Sequence, residues 1–194
     1  MPDTLVGQVR ELAERLERID ATLARLADRQ AILDCLTRYN RGLDRHDEEM
    51  IASAFWEDAL DNHGDFVGDG HELAVWGNAL HAHSFDAHQH FITTHSADID
   101  GDTAHTETYW LAVLRRKENG RSVLIGGRYV DRLERRSGEW RIVVRQTVME
   151  SIAEGERPPF PRWEYYVKGR WDADDISYTR PLTMQRPRNV PRVG

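Results

Sequence analysis

The sequence predicts an α+β domain in which helices precede a long, curved antiparallel sheet, an order that could make a cone with the sheet wrapped around the helices. Three observations carry that prediction. Apolar residues recur at helical spacing through the first half of the chain; beyond residue 86 the period changes to two; and two hairpin signals, Asp100-Gly101 and Ser137-Gly138, divide the second half into four long strands. The chain of 194 residues is long enough for one sizeable core with extensions at both ends.

The elements follow in order. Leu5, Val9, Leu12, Leu16, Ile19, Leu23 and Leu26 alternate spacings of four and three, a heptad seam on an amphipathic helix over residues 1–26. Such a seam cannot bury itself, so it needs a second subunit or the body of its own domain. Ile32, Leu33, Leu36 and Leu43 continue at helical spacing, either after a break at Asp28 or on one unbroken helix. Gly42 is expected to loosen the end of this helix, beside Tyr39 and Asp44. Asp47 can cap a second helix over 47–55, with Met50, Ile51 and Phe55 on its apolar side. "DNHGDFVGDGHE" reads as a short strand with turns, and "GHELAVWGNALHAHS" as a helix packed through Leu73, Trp76 and Leu80. The main domain spans 27–152 and a C-terminal extension spans 153–194. The extension holds six of the seven prolines, and Trp163, Tyr165, Tyr166, Trp171 and Tyr178 suit it to packing over its own domain or a neighbour.

Composition bounds the function. With 40 % hydrophobic and 30 % charged residues the chain is globular, and a net charge of −7 without a basic stripe argues against nucleic acid as a partner. No apolar run reaches the length of a membrane span, and the charged N-terminus lacks the apolar centre of a signal peptide. Cys35 is the one cysteine, which excludes a disulfide framework and makes the cytoplasm the expected compartment.

A cone between sheet and helices is a place for a ligand. Period two puts His88, His90, Ile92 and Thr94 on one face of the first long strand, with Phe91, Thr93 and His95 opposite. On the last strand Arg145 shares a face with Val143, Thr147 and Met149. A charge among apolar neighbours needs a partner or an anionic ligand, and Asp44 is the natural partner type for both His90 and Arg145.

The segments "RQAILDCLTRYNRGLDRHD", "DNHG", "HFITTHSADIDGDTAHTETYW" and "GRYVDRLERRSGEWRIVVR" resemble the SnoaL-like branch of the nuclear-transport-factor-2-like superfamily, over about residues 27–150. Within it the chain is similar to scytalone dehydratase, bile-acid 7α-dehydratase and hexachlorocyclohexane dehydrochlorinase. The resemblance implies Tyr39, Asp44, His90 and Arg145 as the catalytic set. His90 would be a base oriented by Asp44, Tyr39 a donor to a carbonyl or leaving hydroxyl, and Arg145 a stabiliser of negative charge. The dehydrochlorinase has lysine where this chain has Tyr39, which leans the reading towards an oxygen leaving group. Trp56, His63, Glu107 and Tyr109 complete the set as substrate-binding residues. The implied activity is a lyase that needs no cofactor and acts by acid–base catalysis. It would eliminate water, formaldehyde or HX from a hydrophobic aromatic or polycyclic compound, as a trimer or dimer. The same fold also serves as a carrier or a structural subunit.

The cluster "HAHSFDAHQH" could bind a metal through His81, His83, His88 and His90. Against this, i and i+2 positions on a helix do not face each other, and no Cys or carboxylate stands at a ligand spacing. No metal is assigned from the sequence.

Overall fold

The computed structural model describes residues 2–156 (2–4 by their backbone alone), 170–174 and Tyr178. The chain divides into a unit over Met1–Arg157 and a second over Pro158–Gly194. Within the second, Arg170 pairs with Asp172 and Asp174; the remaining aromatic residues expected to pack there, Trp163, Tyr165 and Tyr166, lie outside the described residues.

The first helix, α1, runs unbroken over Pro2–Arg45. Asp28 does not start a helix. Its carboxylate instead takes hydrogen bonds from Arg135 Nη1 at 2.7 Å and Trp140 Nε1 at 2.9 Å. That tie marks where α1 meets the body of the domain. Beyond it Ile32, Cys35, Leu36, Tyr39 and Leu43 recur at spacings of three and four and are all buried. Each such side chain contributes roughly 1.5–3 kcal/mol. Before it the heptad residues stand exposed, from 43 % at Ile19 to 64 % at Leu5.

α1 ends three residues later than Gly42, with His46 in the left-handed region (φ 53°) and Asp47 N–H donating to the Gly42 carbonyl. Gly42 serves close approach rather than looseness: a Cβ there would stand 2.7 Å from Ile51 Cγ1 and 2.8 Å from Ile51 N. The second helix, α2 (Glu48–Ala52), is capped by Asp47, whose side chain accepts from Met50 N–H. It is shorter than the expected 47–55, and Phe55 opens the first strand instead.

The sheet has six strands: β1 (Phe55–Asn62), β2 (Val67–Gly68), β3 (Phe85–Asp100), β4 (Thr103–Arg116), β5 (Ser122–Arg136) and β6 (Glu139–Gly155). Their order is β2-β1-β6-β5-β4-β3, antiparallel throughout except that β1 lies parallel to β6. Ser137-Gly138 makes the β5–β6 turn with both φ positive, the primed-turn geometry that suits strand twist. At the β3–β4 turn the pairing closes at Asp100–Thr103, so Gly101-Asp102 form the loop. The third helix, α3 (Gly70–Ser84), carries a capping box of Asp69 and Glu72. It buries Leu73, Ala74, Gly77 and Asn78, while Leu80 faces outward at 41 % exposure. α1, α2 and α3 cover the face of the sheet formed by Ala104, Thr106, Thr108, Trp110, Ala112 and Leu114 of β4. Among the described residues no helix is long and apolar enough to cross a membrane.

Candidate active site

Asp44 sits in the last turn of α1, where it reaches the start of β3. Both its oxygens accept the His90 backbone N–H at 3.1 Å, and Oδ1 meets His90 Nδ1 at 2.7 Å. A carboxylate can only accept, so Nδ1 carries the proton, and in the neutral ring the lone pair is on Nε2. The His90 side chain is 7 % exposed and Asp44 18 %, which shields the pair without sealing it.

Arg145 is fully buried, but its partner is not Asp44. Its Nε and Nη2 donate to the two oxygens of Asp131 at 2.8 and 2.7 Å. Burial raises the Asp131 carboxyl above its ordinary value, and the guanidinium opposes that rise without cancelling it. The guanidinium carbon lies 4.1 Å from the ring centre of Tyr129 and 4.3 Å from that of Tyr39. Burial pushes both phenols well above their ordinary range, so they stay protonated. Arg145 and the Tyr39 hydroxyl interact with each other, but neither Arg145 Nη1 nor that hydroxyl completes a hydrogen bond of full geometry, although both are buried. The position of Asp131 follows from alternation: Tyr129, Asp131 and Leu133 share the core face of β5. A charge at that phase was legible in "GRYVDRLERR" and was missed.

A second carboxylate–histidine contact lies alongside. His63 Nδ1 stands 3.2 Å from Asp61 Oδ1 and 3.1 Å from Thr147 Oγ1, and its ring neighbours Trp76 and Tyr129. Asp61 is fully buried. Asp44 and Asp61 both act electrostatically on Tyr129, so these groups share one polar interior.

Around His90 stand three more imidazoles. His81 stacks on His90 with centroids 5.4 Å apart, His88 is 4.7 Å from His81, and His46 Nε2 meets His88 Nε2 at 3.0 Å. Burial, reinforced by the neighbouring rings, lowers His81 to about 3 and His88 to about 2, so both are neutral near pH 7. His83, grouped with them by the sequence, is exposed.

Two expectations about facing are corrected. A β-bulge intervenes between Ile92 and His95, where three steps on β3 match two on β4. It reverses the phase, so His95 turns inward to Thr108 Oγ1 at 2.9 Å and Thr94 is exposed. Glu107 and Tyr109 occupy the outer face of β4, where Arg128 pairs with Glu107 at 2.8 Å and lies 5.9 Å from the Tyr109 ring centre. Trp56 donates to the Glu134 carbonyl and is flanked by Arg136 and Arg141. Of the substrate-binding residues expected from the sequence, His63 alone joins the polar interior; Trp56, Glu107 and Tyr109 do not.

Comparison with known proteins gives a consistent placement. The family model described as a SnoaL-like domain matches residues 24–146. The type 2 hexachlorocyclohexane dehydrochlorinase LinA is similar at 26 % identity, covering 72 % of this chain and 98 % of its own, with a TM-score of 0.66. The type 3 enzyme from Novosphingobium barchaimii also shares 26 % identity, covering 71 % and 98 %, with a TM-score of 0.64. A candidate scytalone dehydratase from Novosphingobium aromaticivorans shares the fold at 20 % identity, covering 73 % and 98 %, with a TM-score of 0.63. No curated protein matches significantly.

Proposed function

The chain belongs to the SnoaL-like domain family, and from that premise we propose that it is a lyase working by acid–base catalysis without a cofactor. The observation that carries the reading is the Asp44–His90 pair, which fixes one ring nitrogen and leaves the other as a base. Similarity to the dehydrochlorinases adds a relative whose name describes an elimination.

In the proposed reaction His90 Nε2 removes a proton from a carbon next to an electron-withdrawing group. The C–H pair becomes a new C=C bond as the C–O bond breaks, and the departing oxygen takes its proton back from the imidazolium to leave as water. Arg145 Nη1 and the Tyr39 hydroxyl, buried donors without full hydrogen bonds, suit the negative charge that develops on the substrate. Loss of HX or formaldehyde uses the same base. For formaldehyde the proton comes from a hydroxyl and the C–C pair stays with the retained fragment. The substrate class is a hydrophobic aromatic or polycyclic alcohol or halide, a reading supported by the aromatic interior around Tyr129, which meets Tyr39 edge to face and stacks on Trp110.

The exposed heptad arm supports assembly of identical chains. In a parallel pair, Arg15 and Asp20 flank the seam five positions apart, so Arg15 of one copy faces Asp20 of the other.

The deciding experiment incubates the protein with a panel of such compounds and follows products by mass spectrometry. Turnover by the wild type and none by His90→Gln supports the reading. Tight ligand binding with no product from any member means a carrier, and the lyase reading falls.

A further inference from the structure

We infer that His81, His88 and His90 form a binding site for a divalent transition-metal ion of the zinc class, and that its occupancy silences His90 as a base. One ring nitrogen from each lies within 4.8 Å of the other two. Nitrogens around a tetrahedral zinc stand about 3.4 Å apart, so a modest inward rotation of the rings closes the site. The three come from two elements, His81 from the last turn of α3 and His88 and His90 from the same face of β3, so the fold holds them together.

The donor chemistry is specific. All three ligands are imidazoles, which favours zinc, cobalt, nickel or copper over magnesium or calcium. Asp44 on His90 Nδ1 is the carboxylate–histidine arrangement that orients a metal-binding imidazole and raises its basicity. His88 has a comparable neighbour in His46. The His81 Nδ1 atom is buried without a hydrogen-bond partner in the described residues, a polar atom that a cation would satisfy. The sequence argument against a metal assumed that His81 and His83 had to act together. The fold separates them, pairing His81 with the strand.

The regulatory half rests on the lyase reading. A bound ion takes the lone pair that His90 needs to accept a proton, so the metal-loaded protein cannot start the elimination. The binding half is independent of that reading and is tested without substrate.

The experiment titrates Co²⁺ into the chelator-stripped full-length protein and follows visible absorption, with Zn²⁺ titrated by calorimetry in parallel. The expected result is one ion per chain and intense bands of four- or five-coordinate cobalt. His81→Ala and His88→Gln should each weaken binding by at least about tenfold, while His83→Ala leaves it unchanged. Circular dichroism confirms that each variant is folded. No saturable binding, or binding indifferent to both His81→Ala and His88→Gln, overturns the site. If zinc binds but substrate turnover continues at full rate, the silencing falls and the site stands. If zinc binds and no substrate is ever turned over, the lyase reading fails on its own.

Discussion

Asp44 holds His90 at two points, gripping the backbone N–H with both oxygens and the ring Nδ1 with one. The same carboxylate therefore seats the first turns of β3 against the end of α1 and chooses the tautomer of the ring. An error in either contact misplaces the ring.

Asp44→Asn should lower kcat by roughly 10²–10⁴-fold with a smaller change in KM, because the amide can present its NH₂ to Nδ1 and favour the wrong tautomer. His90→Gln should lose at least as much while leaving the fold intact. Steady-state kinetics on any substrate found in the panel checks both. Full activity in Asp44→Asn would show that the carboxylate is only a strap for the strand.

Arg145→Met should destabilise the protein by about 3–5 kcal/mol, since Asp131 would be left as an uncompensated buried charge. The double variant Arg145→Met with Asp131→Leu should recover most of that loss while remaining inactive. Urea unfolding of the four proteins in the cycle measures it. A cost below about 1 kcal/mol for Arg145→Met would mean that water reaches Asp131.

Burial raises the Cys35 thiol from 9.0 to about 11, and its Sγ contacts the Ala54 carbonyl at 3.3 Å. The sign follows from linkage. With the folded pKa above the unfolded one, the stabilisation is complete below pH 9.0 and is lost as pH rises towards about 11, where the unfolded chain releases the proton first. Cys35→Ala should flatten the fall in stability between these limits, read by urea midpoints at pH 8 to 10.5, roughly. At neutral pH a thiol reagent should label the native chain far more slowly than the unfolded one. Rapid labelling of the native chain would contradict the burial.

If the heptad arm joins copies as proposed, the wild type should sediment as an oligomer, and Leu16→Lys combined with Leu23→Lys, both exposed in the single chain, should give a smaller species. Arg15→Asp should weaken association, and adding Asp20→Arg should restore it. If the paired reversal does not rescue, the copies do not run parallel.

Much of the fold was legible because its signals are local. The heptads, the Asp47 cap and the Ser137-Gly138 turn each act within a few residues, and the structure keeps them. The Asp44–His90 contact spans 46 positions and was reached through residue type and family resemblance. What escaped depends on counting along strands. One extra residue between Ile92 and His95 inverts every later inside–outside assignment on β3, and no turn residue announces it. Asp44 and Asp131 are both carboxylates that could partner Arg145, and residue type alone does not choose Asp131, 14 positions before it. On β4 the alternation puts Thr106, Thr108 and Trp110 inside and turns Glu107 and Tyr109 outward.

The unbroken run of α1 makes its two ends parts of one rod, about 66 Å long for its 44 residues. Asp28 pins that rod to the body, so residues added or removed just before it cannot displace Asp44. They turn the outer portion about its axis instead, by roughly 100° for each residue. The rod therefore works as a dial. The count of residues between Leu26 and Asp28 sets the direction in which the apolar stripe points, while the Asp44–His90 contact at the other end stays where it is.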